Sequence, residues 1–184
     1  MSRTRLQFFF LTALFFISLV RADPIVGHAY SLTMIDVDKN KLATADGHVT
    51  IIVVTSSDDV EKARSVGDRV PEYCLGNPAY RMVTILRFAK SHHAPVRMIV
   101  NAVVRHRLDA EAKRLQPRYV AKKIARNPRS DVYAVADFDG TIASQFGIPA
   151  DSTSFQVLVL DRKGELLRRW TDVPTAEELA AVVK

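Results

Sequence analysis

The sequence contains one cysteine, Cys74, in 184 residues. A single thiol excludes an intramolecular disulfide, and it excludes any two-cysteine redox cycle within the chain. Beyond residue 22 no apolar run approaches the about 20 residues that a helix needs to span a bilayer. Internal repeats, low-complexity tracts and linkers are also missing, so residues 23–184 read as one domain whose regular elements begin near Ala29. The histidines offer no zinc signature. His92-His93 and His106 have the wrong spacing, and no cysteine or carboxylate cluster accompanies them. No metal and no cofactor is expected.

What is present has the composition of an ordinary globular protein, 48% hydrophobic and 25% charged. The first 22 residues stand apart. Arg3 and Arg5 precede a phenylalanine-rich apolar stretch from Leu6 to Val20, and Val20-Arg21-Ala22 fits a signal-peptidase site. The stretch is short for a membrane anchor, so cleavage after Ala22 and a periplasmic or secreted protein are expected.

The net charge of +6 is unevenly spread. Between Arg87 and Arg129, twelve lysines and arginines face only Asp109 and Glu111. Export argues against nucleic acid as the partner of this segment. Arg118, Lys122, Lys123 and Arg126 point instead to an anionic surface, either a peripheral membrane contact or an acidic envelope protein. The plainer alternative is a solvated polar face.

The centre of the chain is the run from Val49 to Val54, six β-branched residues bounded by Gly47 and by Ser56-Ser57-Asp58. That composition predicts a buried central strand. A helix from Asp58 to Val70 follows, with Val60, Ala63, Val66 and Val70 on one face and Asp58 and Glu61 as a capping box. Before the central strand, Ser31–Ile35 and Lys41–Ala45 form a hairpin around an Asx-type turn at Asp36 and Asp38. After it come a strand at Tyr80–Phe88 and a long amphipathic helix from Pro95, carrying Val96, Ile99, Val103, Val104, Leu108 and Leu115. A separate short helix from Pro117 to Ile124, a strand at Asp131–Ala136 and a short helix at Thr141–Phe146 follow. Strands at Phe155–Leu160 and Glu165–Trp170 flank a turn at Asp161–Gly164, and Thr175 with Glu178 caps a last helix. Helical crossovers imply parallel pairing of the first central strands, and the tight turn implies antiparallel pairing of the last two. The expected fold class is α/β, a three-layer sandwich with a central mixed sheet, an N-terminal β-hairpin and a long helical insertion.

This order resembles the thioredoxin-like, redoxin-type superfamily. The resemblance rests on the hairpin leading to Gly47-His48-Val49, the strand-to-helix turn at Thr55–Asp59, the segment Asp137 to Ile148, and the hairpin Val157 to Glu165. Within that group the chain is similar to small exported bacterial proteins of the YtfJ type, which also lack the paired cysteines. The resemblance places the Cys-x-x-Cys positions near Asp59 and Lys62; the family's cis-proline has no match, since Thr153 and Ser154 occupy the approach to the fourth strand and Pro149 comes too early. Without the paired cysteines, the exported chain reads as a non-catalytic binding protein of the envelope, with a rim at the former active site of Thr55, Ser56, Ser57, Asp58, Asp59, Thr153 and Ser154. The alternative is a peroxidase-like redoxin acting through Cys74. Against it, Asp58 and Asp59 occupy the helix N-terminus that activates a thiolate, while Cys74 follows the helix and sits beside Tyr73 and Leu75. Arg69 and Arg81, near in sequence, would favour its thiolate. Asp137-Phe138-Asp139-Gly140-Thr141 also matches the first motif of haloacid-dehalogenase phosphatases. Only 43 residues follow it, too few for the rest of such a site, so it reads as a strand-end turn.

One expectation is chemical and immediate. N-terminal sequencing of protein secreted by a bacterial host should begin at Asp23; Met1 retained on membrane-bound protein would overturn the cleavage reading.

Overall fold

The structure is a computed structural model that describes residues 23–88 and 93–184. The expected signal segment, Lys90 and His92 lie outside the described residues. In chain order the elements are β1 (Thr33–Ile35), β2 (Lys41–Ala43), β3 (Val49–Thr55), α1 (Val60–Arg69), β4 (Tyr80–Arg87), α2 (Ala94–Ala121), β5 (Val132–Asp137), α3 (Thr141–Ser144), β6 (Gln156–Leu160), β7 (Leu166–Trp170) and α4 (Ala176–Val182). Short 3-10 turns cover Glu72–Cys74 and Pro128–Asp131.

The β-branched run forms β3, and all seven of its residues are buried. It lies in the middle of a five-stranded sheet of order β5-β4-β3-β6-β7. It runs parallel to β4 and antiparallel to β6, while β4 and β5 are parallel and β6 and β7 antiparallel. Alternate side chains of a strand point to opposite faces. Ile52 and Val54 therefore join Met34 and Leu42 of the β1–β2 hairpin and Phe146 after α3. Ile51 and Val53 join Ala63 and Val66 of α1 and Leu179 of α4. Further along that second face, Val104 and Leu108 of α2 cover Ala134 of β5. The result is the expected three layers around a mixed sheet.

The hairpin turn is the Asx turn read from the sequence. Asp36 Oδ1 accepts from the backbone N–H groups of Asp38 (2.9 Å) and Asn40 (2.7 Å). The turn docks on the sheet edge, where Val37 N–H donates to the Ala134 carbonyl at 2.9 Å. Arg129 clamps it from outside by pairing with Asp38 and with Asp109.

Three local expectations are corrected. The capping box at Asp58 and Glu61 does not form. α1 is capped by Asp59 without a side-chain bond, Glu61 is drawn to Arg64 at 2.7 Å, and Asp59 faces Lys62 at 3.5 Å. Pro117 does not start a new helix; it lies inside α2. Proline removes one backbone bond there, but the turn beyond it is anchored by fully buried Tyr119, whose hydroxyl donates to Asp131 at 2.6 Å. The apolar face of α2 is shorter than its sequence pattern. Val96, Met98, Ile99 and Val103 are exposed, and burial begins at Val104 and continues at Leu108 and Ala112, where β5 lies beneath.

At α4 the capping box is complete, with Thr175 accepting from Glu178 N–H at 3.1 Å and Glu178 from Thr175 N–H at 2.8 Å. Thr175→Ala should therefore lower stability by about 1 kcal/mol, whereas Asp58→Ala should change it by less than about 0.5 kcal/mol. Urea-unfolding midpoints at unchanged m-value check both.

Candidate functional site

The N-terminal turn of α1 stands where β3 ends. Thr55 is 1% exposed and its hydroxyl donates to the Ser56 carbonyl, so only Ser56 to Asp59 present themselves at the surface. Extending the β3–β6 register beyond Val54↔Gln156 places Ser154 beside Ser56. That strand order sets the two halves of the expected rim at the same end of neighbouring strands, with Thr55 buried. Ser154 is held by Ser152, whose hydroxyl lies 2.7 Å away. The chain before it is gripped by Arg87, a buried residue at the end of β4 that donates to the carbonyls of Ala150 and Ser152. Burial pulls the Arg87 pKa down, while the charges of Asp137 and Asp151 oppose that shift. At the position expected for a second cysteine, the Lys62 ammonium sits 5.6 Å from the Phe155 ring.

Cys74 closes the 3-10 turn after α1, buried in the cluster that contains Val49, Ile51 and Val66. Tyr73 beside it is 48% exposed, so the burial comes from the sheet and α1 and not from that ring. Desolvation pushes the thiol pKa up to about 12. Neither neighbouring arginine offsets this. Arg69 donates to the Val173 and Pro174 carbonyls, and Arg81 is bound to Asp46 at 3.0 Å.

The Asp-x-Asp-Gly-Thr motif is a turn. Asp137, 1% exposed, accepts from the Ile142 and Ala143 N–H groups at 3.2 and 2.9 Å and so caps α3. Bonds from Thr141 hold the exposed Asp139 carboxyl below its ordinary pKa. Gly140 has φ +74°, and a Cβ there would lie 2.8 Å from Ala150. His93 and His106 are both exposed on the α2 segment, and no cluster of metal-ligating side chains exists among the described residues.

Three of the four residues of the expected basic patch are paired with carboxylates. Arg118 and Lys122 share Glu72, Arg126 pairs with Asp131 at 2.8 Å, and Arg114 pairs with Asp68 at 2.7 Å. Lys123, the fourth residue of the expected patch, sits just past the helix in a left-handed conformation, φ +55°.

Sequence reading missed a cleft. A cavity of about 550 Å³ lies between α1 and α2. Its floor is Tyr80, Met82, Thr84 and Leu86, half-buried although β4 has strand neighbours on both sides. The two helices belong to different core clusters and are joined by the side-chain bridges Arg64–Glu111 and Asp68–Arg114, a series that Glu72 of the following 3-10 turn continues with Arg118. These partners are 47, 46 and 46 residues apart, so the helices run in the same direction at constant offset. No local pattern signals the cleft, because it arises from two helices that each pack on the sheet and not on one another.

No family model matches the sequence, and no curated protein matches it significantly. The fold itself has solved counterparts. The exposed lipoprotein thioredoxin of Streptococcus pneumoniae superposes with a TM-score of 0.50 at 11% identity, over 83% of this chain and 97% of that one. A Bacteroides thetaiotaomicron domain, described as the C-terminal part of a thiol-disulfide oxidoreductase, gives 0.53 at 12%, over 88% and 98%. A Bacteroides thetaiotaomicron protein described as a disulfide isomerase gives 0.52 at 11%, over 86% of both chains. The chain has a thioredoxin-like fold. The narrower likeness to the YtfJ type rests on the sequence alone.

The Glu72 carboxyl is held below its ordinary value of 4.5 by hydrogen bonds from Lys122 and then Arg118. Its contribution to stability is present above that value and is lost as pH falls through the lowered folded pKa. In an NMR pH titration, replacing both Arg118 and Lys122 by Met should move the Glu72 midpoint up to the ordinary value. An unmoved midpoint would show that these contacts do not form in solution.

Proposed function

We propose that this thioredoxin-like chain is a non-catalytic binding protein of the cell envelope, exported by its first 22 residues. The observation that carries the reading is the state of its chemistry at the α1 N-terminus. A thiol there gains from the helix dipole and becomes a reactive thiolate. This chain has Asp58, Asp59 and Lys62 there instead, and its single thiol is buried with a pKa near 12. Export draws support from the basic, apolar leader pattern.

The rim of Ser56, Ser57, Asp58, Asp59, Thr153 and Ser154 is polar and accessible, which suits contact with an envelope protein. An anionic surface remains the other partner class. Only the part of the basic segment left uncompensated by Glu72, Asp131 and Asp68 would serve it.

The test is redox silence. Insulin disulfide reduction and peroxide consumption should not exceed those of a Cys74→Ser variant. Iodoacetamide should label Cys74 slowly between pH 7 and 9 and rapidly once the protein is unfolded. Native labelling with a midpoint below the reference value of about 8.5, or turnover that depends on Cys74, would transfer the assignment to the peroxidase-like alternative.

A further inference from the structure

We infer that the cleft between α1 and α2 binds a single-chain amphiphile with one anionic head, a fatty-acid type of molecule. The chain would lie along β4, with the head group at Arg107. The inference rests on the reading of the protein as a binding protein and deepens it by naming a site and a ligand class.

A space of about 550 Å³ is of the size that holds small ligands. Its floor, from Tyr80 to Leu86, extends about 20 Å at the rise of a β-strand, a length suited to an extended chain. The walls carry small or apolar side chains, Ala63 of α1, Val70 just past its end, and Val104 and Leu108 of α2.

The charges favour one negative group. The bridges between α1 and α2 follow an offset of 46 to 47 residues. That offset puts Arg107 opposite Glu61, yet Glu61 turns along its own helix to Arg64, with both oxygens within 2.8 Å. The next bridge in the series is therefore open, and Arg107, exposed on α2, has no ion pair among the described residues. By contrast, Arg64 and Arg114 are neutralised by Glu61, Glu111 and Asp68. One unpaired cation matches one carboxylate. The cleft is not filled by the start of the described chain, because Asp23 lies beside Arg169 on β7, three strands from β4.

The experiment is calorimetric titration of the purified protein with laurate and with dodecanol, read alongside the ¹³C-methyl NMR signal of Met82. Laurate should bind saturably at one site and shift that methyl. Gly67 faces the cleft with Met82 Sδ and Cε at 3.7 Å from a Cβ built there, and its backbone tolerates a side chain. Gly67→Leu should weaken both ligands at least about tenfold while leaving the unfolding midpoint undiminished. Arg107→Gln should weaken laurate roughly tenfold, the loss of one charge-assisted contact, and leave dodecanol unchanged. No saturable binding of either probe, binding indifferent to Gly67→Leu in a folded variant, or shifts confined to other methyls would overturn the inference. Those results would leave the non-catalytic reading standing, which fails only if Cys74 turns over in the redox assays.

Discussion

A strand with no exposed side chain can exist only if both of its faces are covered, and that requirement governs this molecule. All seven residues of β3 are buried, so helices must cover one face and something else the other. The β1–β2 hairpin, with Tyr30 and Phe146, meets the second requirement and explains why a two-stranded ribbon, marginal on its own, is stable here. Coverage of the helical face is uneven. α1 and α4 close over β3 and β6, and α2 closes over β5, which leaves β4 between them only partly roofed. The cleft is the residue of that division.

Arginine does much of the long-range fastening. Arg81 and Arg87 occupy the two ends of the buried face of β4. One holds Asp46 and the Ala43 carbonyl, and the other holds the carbonyls that precede β6. Planar, always-charged guanidinium groups suit such partly dehydrated sites better than lysine would. The same residue type bridges α1 and α2 and clamps the hairpin turn. Part of a segment that looks strongly cationic along the sequence is thus, in space, paired with carboxylates.

The sequence made the strands and helices legible where side-chain period and β-branching dictate them, as in β3, β6 and the Asx turn at Asp36. It misled where competing local partners decide the outcome. Asp58 and Glu61 have the same spacing as Thr175 and Glu178, yet only the second pair closes a capping box. Near α1, Arg64 and Lys62 draw the carboxylates away from the backbone; near α4 no such competitor is seen among the described residues. Strand order alone puts Ser56 and Ser154 at the same end of neighbouring strands, whereas the burial of Thr55 needed the packing. The cleft and the pairing of Arg118 with Glu72 depend on separations of some 46 residues, beyond the reach of any local pattern.

The placement of Cys74 also bears on what the protein avoids. A lone thiol at a surface is a liability in the presence of oxidants, because it can bridge two copies of a chain or capture a small-molecule disulfide. Both reactions begin with a thiolate reaching another sulfur. Enclosed by Val49, Val66 and their neighbours, with its pKa raised by desolvation, this sulfur is poorly placed for that first step. An unpaired cysteine in such a place can serve as a small apolar filler.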